Sequence, residues 1–262
     1  MPGPPDGAPS RPIELLLGPR VAILAALAAL TFVCWLWLAD EAATMAAMDP
    51  AMTMPPKGLH DLVLLFVMWW IMMVGMMLPS AAPMILTFAA VNRRRRARTQ
   101  PYVPTALFVA GYLLAWGGFS FIATLAQWGL ESVALLSPMA MAATAPWLAA
   151  ALLLAAGLYQ LTPLKNACLG LCRSPFDFVV NHWRDGSVGA LRMGLGHGLY
   201  CLGCCWVLMA LLFVGGVMNL LWVAALTAIV LVEKLLPFGA WTARIAGVAL
   251  IGWGLGLLLA GR

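Results

Sequence analysis

Leu62-Val-Leu-Leu-Phe-Val-Met-Trp-Trp-Ile-Met-Met-Val-Gly-Met-Met-Leu-Pro79-Ser-Ala-Ala-Pro83-Met-Ile-Leu-Thr-Phe-Ala-Ala-Val91 is a run of thirty residues with no charged side chain. A bilayer core about 30 Å thick is crossed by about 20 apolar residues at about 1.5 Å each, so the run predicts a membrane-spanning helix with length to spare. Pro79 and Pro83 each lack a backbone donor and crowd the preceding turn, which predicts a kink. Asn92 and then Arg93, Arg94, Arg95, Arg96 and Arg98 follow at once. Arginines gathered at the end of a span mark the side that stays in the cytoplasm.

Outward from this stretch, six further apolar runs can be drawn: Val21–Ala39, Thr105–Trp128, Trp147–Leu164, Val188–Met218, Leu220–Leu236 and Ala243–Ala260. The expected fold is an all-α polytopic transmembrane helical bundle of about seven spans. Composition points the same way. The chain is 63% hydrophobic and 10% charged, with a mean hydropathy of +0.94, where soluble globular domains run about 45–50% apolar and about 25% charged. Little is left for a soluble domain. Residues 1–61 divide off as a tail, a first span and a Met-bearing external loop; residues 62–262 form the bundle proper. The first apolar run exceeds the 7–15 residues or so of a signal-peptide core and lacks a small-residue cleavage site, so it reads as a retained span.

Loop charges set the orientation. Arg11 and Arg20, the arginine cluster after the second span, Lys165, Arg173 and Arg184 after the fourth, and Lys234 and Arg244 around the sixth-to-seventh turn all fall on one side of a seven-span chain. That side is cytoplasmic by the positive-inside rule, with the N-terminus inside and the C-terminus external. The net charge of +5 is thus a topology signal; no nucleic-acid partner is expected, since no second basic patch or aromatic RNA-binding pattern accompanies the run. The lipid bilayer is the expected environment. No repeat of 20–50 residues marks a solenoid. A Walker loop, an HExxH zinc-protease motif and a serine nucleophile elbow are all missing, so the chain reads as something other than an enzyme driven by nucleotide hydrolysis.

The chemistry concentrates in Met193-Gly-Leu-Gly-His197-Gly-Leu-Tyr-Cys201-Leu-Gly-Cys204-Cys205-Trp-Val-Leu-Met209. Positions four apart stack on one helix face, so Met193, His197, Cys201, Cys205 and Met209 form a drifting stripe with Cys204 beside it. Soft sulfur ligands select Cu(I), and imidazole suits copper and zinc. Against this stands the plain reading that free Cys and Met are apolar filler and that His197 is satisfied by a nearby carbonyl. Met72, Met73, Met76 and Met77 form a second sulfur cluster beside the proline kink, either a path for an incoming ion or flexible packing. The loop residues Met45, Met48, Asp49, Met52, Met54 and His60 read as a cation collector or a linker. Cys168 and Cys172 offer two thiols near the inner mouth, as a hand-off pair, a redox pair or unpaired structural thiols. Cys34 stands alone in the first span and reads as packing.

Intramembrane charges are rare and usually functional. Glu233 needs a partner, either Lys165, Arg184, Arg192 or a metal, while Lys234 can snorkel toward the interface. Gln160 and Asn219 are weaker signals of the same kind. The pairs Gly194/Gly198 and Gly252/Gly256 are small-xxx-small spacings that let helices approach, within the chain or between copies.

Trp69…Met76-Met77-Leu-Pro79…Pro83, Gln160-Leu-Thr-Pro163-Leu-Lys165…Cys168…Cys172-Arg173-Ser-Pro175, His197-Gly-Leu-Tyr200-Cys201-Leu-Gly203-Cys204-Cys205-Trp206, Met218-Asn219 and Glu233-Lys234 together resemble a family of bacterial integral membrane proteins described as metal-binding. The resemblance covers about Leu62 to Leu259, and its HGxYCxGCCW-type motif is specific. It implies residence in the bacterial inner membrane and metal binding, without an assigned activity. The leading expectation is transition-metal handling, copper before zinc, at His197, Cys201, Cys204 and Cys205, with Met72, Met73, Met76, Met77, Cys168, Cys172 and Glu233 as further candidate ligands and a metal donor or acceptor protein as partner. Two rivals stay open. One is a thiol-disulfide carrier using Cys201 with Cys204 or Cys205; the other is an assembly subunit of a membrane complex.

Overall fold

Prolines and short polar side chains decide where the helices begin. Pro146, Pro163 and Pro175 each open a helix at its first turn, where a missing N–H costs nothing and the fixed φ is already helical. Thr162 caps the second of these through its side chain, accepting from the Lys165 N–H at 3.3 Å, and Asn219 caps a later one by accepting from the Trp222 N–H at 3.2 Å. The computed structural model describes residues 11–47, 58–96 and 103–260. In order these form α1 (Arg11–Ala47), α2 (Leu59–Arg96), α3 (Thr105–Ser132), α4 (Pro146–Gln160), α5 (Pro163–Arg173), α6 (Pro175–Asn181), α7 (Gly186–Ala210), α8 (Leu212–Gly215), α9 (Leu220–Leu235) and α10 (Gly239–Ala260). Extended pairing among the described residues is limited to an isolated bridge between Leu136 and Ala143. The all-helical expectation holds.

The helices long and apolar enough to span number fewer than the expected seven among the described residues. Among the described residues, five stretches are long and apolar enough to cross a membrane, Gly18–Ala47, Leu59–Arg95, Thr105–Ser132, Gly186–Gly215 and Gly239–Ala260, or six if the bent pair α4 and α5 makes one span. The expected fourth span instead becomes α4, of 15 residues, which breaks at Leu161-Thr162 and continues as α5 at an angle of 64°. The expected sixth becomes α9, of 16 residues. It stops because Leu236 precedes Pro237 and is held extended at φ −93°, ψ 147°, as residues before proline are. The expected fifth closes at Gly216, whose φ of +94° is the left-handed backbone that glycine adopts without strain.

α2 runs unbroken through both prolines, and the carbonyl that Pro79 leaves without its usual partner, that of Gly75, accepts instead from the Trp35 indole at 3.3 Å. That bond helps dock α1 on α2. α3 packs along α7 and α4 along α10, each through glycines. A side chain at Gly194 would strike the Phe108 carbonyl, one at Gly111 the Leu191 carbonyl, and one at Gly198 the Ala115 methyl. Gly157, Gly247 and Gly254 make the second crossing in the same way. Of the two expected glycine pairs, Gly194/Gly198 is therefore a helix contact, whereas Gly252 and Gly256 face open space within the chain. Large apolar side chains such as Phe32, Val33, Trp241, Ile245 and Leu259 lie exposed on α1 and α10. Basic side chains of α1 and α2 gather together: Arg20 and Arg94 line one cavity with Phe176, and Arg95 pairs with Asp185 at 3.1 Å.

Candidate functional site

α7 carries Cys201, Cys204 and Cys205 on the side it buries, and all three side chains are inaccessible to solvent. The thiols of Cys204 and Cys205 both donate to the carbonyl of Cys201, each at 3.0 Å. That shared acceptor draws the two sulfurs to the turn that bears the third. Cys204 is also in side-chain contact with Cys201, Cys205 and, across from α5, Cys172. Cys205 lies 4.0 Å from the Met77 sulfur of α2. Sulfur atoms from three helices thus meet in one interior cluster. α5 reaches it because Gly203 has no side chain: a Cβ there would lie 2.7 Å from the Cys168 sulfur. All six cysteines are free thiols.

Two groups that are not among the expected site residues touch this cluster. Lys234, expected to snorkel, instead points inward from α9 and is 7% exposed. Its ammonium donates to the Cys201 sulfur at 2.8 Å and to the Ser80 hydroxyl at 3.3 Å. Tyr112 of α3 places its hydroxyl 3.1 Å from the same sulfur and donates to the Met77 carbonyl at 3.1 Å. No local signal marks either role; both depend on which helices α9 and α3 face.

His197 is buried one turn before Cys201, in an aromatic surround. Its ring stacks on Tyr112 at 5.5 Å and Phe108 at 6.2 Å and meets Phe178 edge-on at 5.6 Å. Among the described residues Nδ1 has no hydrogen-bond partner, an arrangement buried imidazoles seldom keep. Among the described residues, no group of three or more His, Cys, Asp or Glu side chains is arranged to hold a metal ion. The thiols form a contact cluster, and the imidazole sits beside it.

The remaining candidates divide. Met72, Met73, Met76 and Met77 are fully buried on α2, and Met77 is the one joined to the thiols. Met193, at the far end of the stripe, turns its sulfur to the Arg184 N–H at 3.3 Å. Glu233 has both oxygens engaged elsewhere, one by Lys165 at 2.6 Å and the other by the Gln160 amide at 2.8 Å, with Lys165 donating to Gln160 as well. Of the side chains weighed as partners for Glu233, Lys165 is the one it pairs with. This buried triad ties α9 to the start of α5, whose other end is held by Arg173 donating to the carbonyls of Leu236 and Pro237 at 2.8 and 2.9 Å. At the opposite end of α3, Trp69 donates to Gln127 at 2.7 Å and Gln127 to Glu131 at 2.7 Å. Of the expected loop collector, Met48, Asp49, Met52 and Met54 lie outside the described residues, and His60 is exposed at the start of α2, 3.6 Å from Asp61.

Residues 66–257 match the family model PpoB2, described as a copper chaperone. No curated protein and no solved structure matches the chain.

Proposed function

This chain belongs to the PpoB2 family of copper chaperones, and from that premise we propose that it is a multi-pass inner-membrane protein that holds Cu(I) as cargo on Cys201, Cys204 and Cys205, with Cys172 and Met77 as neighbouring sulfurs. The observation that carries the reading is the meeting of thiols from α5 and α7 with a thioether from α2 inside the bundle. Cu(I) is a soft ion for which thiolate and thioether are the favoured ligands. Two of these three thiols and one Cu(I) give a dithiolate complex and two protons, which leave to solvent, while the third stays protonated; no electron moves. Delivery then needs only ligand exchange, and Cys172 is the thiol suited to it, since it sits on a helix separate from the other three. Met72, Met73 and Met76 continue the sulfur lining away from Met77 and form the route by which the ion arrives. His197 stays outside this ligand set, as a buried base facing the cluster, and Glu233 serves as a structural pin. The arginine-rich helix ends face the cytoplasm, with the N-terminus inside and the C-terminus outside.

The test is copper stoichiometry on purified, reduced, full-length protein in detergent, read against a Cu(I)-chelating dye. The wild type should retain about one ion that Cys201→Ser with Cys205→Ser loses. Equal retention by the double variant refutes the reading. The contact between Cys172 and Cys204 also favours a second one, a thiol-disulfide carrier: trapping thiols in cells with a mass-tagged alkylator would then show a Cys172–Cys204 disulfide that comes and goes, where the chaperone keeps both reduced.

A further inference from the structure

We propose that Lys234 sets the charge of the ion that the sulfur cluster accepts, making it a site for a monovalent soft cation and disfavouring divalent ones. The inference rests on the copper reading above. Three observations converge on it. Lys234 is buried, and its ammonium lies 2.8 Å from the Cys201 sulfur. Its chain neighbour Glu233, the obvious counter-charge, is turned away and consumed by Lys165 and Gln160. Among the described residues, no carboxylate pairs with Lys234. An ammonium brings three donors and no acceptor, and burying one without a compensating negative charge is costly. Its two hydrogen-bond acceptors here, the Cys201 sulfur and the Ser80 hydroxyl, carry no formal charge while Cys201 is a thiol.

Charge bookkeeping then separates the candidate ions. Two thiolates with Cu(I) or Ag(I) carry a net charge of −1, and Lys234 brings the buried site to zero. Two thiolates with Zn(II) or Cd(II) are already neutral, so Lys234 leaves an excess of +1 in a low-dielectric interior. With Lys234 kept as the ammonium, a divalent ion regains neutrality by taking a third thiolate and expelling a third proton. Removing the lysine charge reverses the preference, because the dithiolate with a divalent ion becomes the neutral state. Lys234 is therefore a specificity-determining residue that binds no ion itself.

The experiment is competition between Ag(I) and Cd(II) for the reduced full-length protein in nanodiscs, with each bound metal counted by mass spectrometry. Lys234→Met should shift the Ag(I)/Cd(II) ratio at least tenfold toward Cd(II), while Lys234→Arg should hold the wild-type ratio. Ser80→Asp, which places a carboxylate beside the intact lysine, should shift it in the direction of Lys234→Met. Proton release from the wild type needs no variant: Cd(II) should release one more proton per ion than Ag(I). An unshifted ratio in the variants that fold, or equal proton release by the two ions, overturns the role of Lys234 while leaving the copper reading intact. Failure of the wild type to bind Ag(I), or binding that survives Cys201→Ser with Cys205→Ser, overturns both.

Discussion

Glu233→Gln tests whether this carboxylate is a pin or a ligand. Lys165 and Glu233 are 0% and 2% exposed and 2.6 Å apart. At an effective dielectric of about 20 that separation corresponds to about 6 kcal/mol of gross attraction, much of it offset by the cost of taking both ions from water. Removing one partner is a different matter. The glutamine keeps the volume and a hydrogen bond toward Gln160, but strands a buried ammonium, and such losses run to about 3–5 kcal/mol. For a chain of this size each kcal/mol moves the melting temperature by about 2–4 °C, so the variant should melt about 6–20 °C below the wild type. Lys165→Met with Glu233→Leu, which leaves only the neutral Gln160 unpaired, should recover at least half of that loss. The assay is thermal unfolding in detergent followed by tryptophan fluorescence, with copper measured on the folded fraction, where one ion per chain should remain. A Glu233→Gln melt within about 2 °C of the wild type, or a double variant less stable than the single, would refute the pin. Loss of copper from folded Glu233→Gln protein would make Glu233 a ligand after all.

Two further outcomes concern the sulfur cluster and the helix crossing. Met77→Leu nearly conserves volume and should cost less than about 1.5 kcal/mol in stability, yet it removes the sulfur 4.0 Å from Cys205; Cu(I) affinity by chelator competition should fall about tenfold, and an unchanged affinity would exclude the thioether. Gly194→Val drives a side chain into the Phe108 carbonyl and should abolish monodisperse protein on size exclusion, whereas Gly196→Ala, with nothing within 4 Å, should elute as the wild type. Equal behaviour of the two would contradict the α3/α7 packing.

The apolar runs were legible in the sequence because hydropathy is a local property, and six of the seven drawn there correspond closely to one helix or a bent helical pair. Their lengths were harder to read. The run Trp147–Leu164 contains Thr162-Pro163, where Thr162 caps and Pro163 initiates, so together they start a new helix at a new angle. Glu233 and Lys234 show the limit most clearly. Adjacent positions on a helix point about 100° apart, and which of them meets Lys165 and which meets Cys201 is decided by the neighbours of α9, which no spacing rule encodes. Lys234 reads as snorkelling because it lies in the last turn of its helix, but its side chain is directed inward to Ser80 of α2 and Cys201 of α7. The helical stripe placed His197 and the thiols on one face, and they do share one. Reaching a common point is a further condition, and Tyr112 and Phe108 take up the imidazole's flanks.

The two short helices have a consequence for the lipid around them. At about 1.5 Å per residue, α9 with its 16 residues is about 24 Å long, and α4 is a little shorter; both lean on α10. In the bilayer proposed above, whose hydrocarbon is about 30 Å thick, that wall of the protein is undersized, and acyl chains must thin locally to meet it at a cost of fractions of a kcal/mol per Å. In that proposed bilayer, headgroups and water would dip toward the layer holding Gln160, Lys165 and Glu233, and the thickness of the host membrane would then control how well the interior sulfurs are sealed.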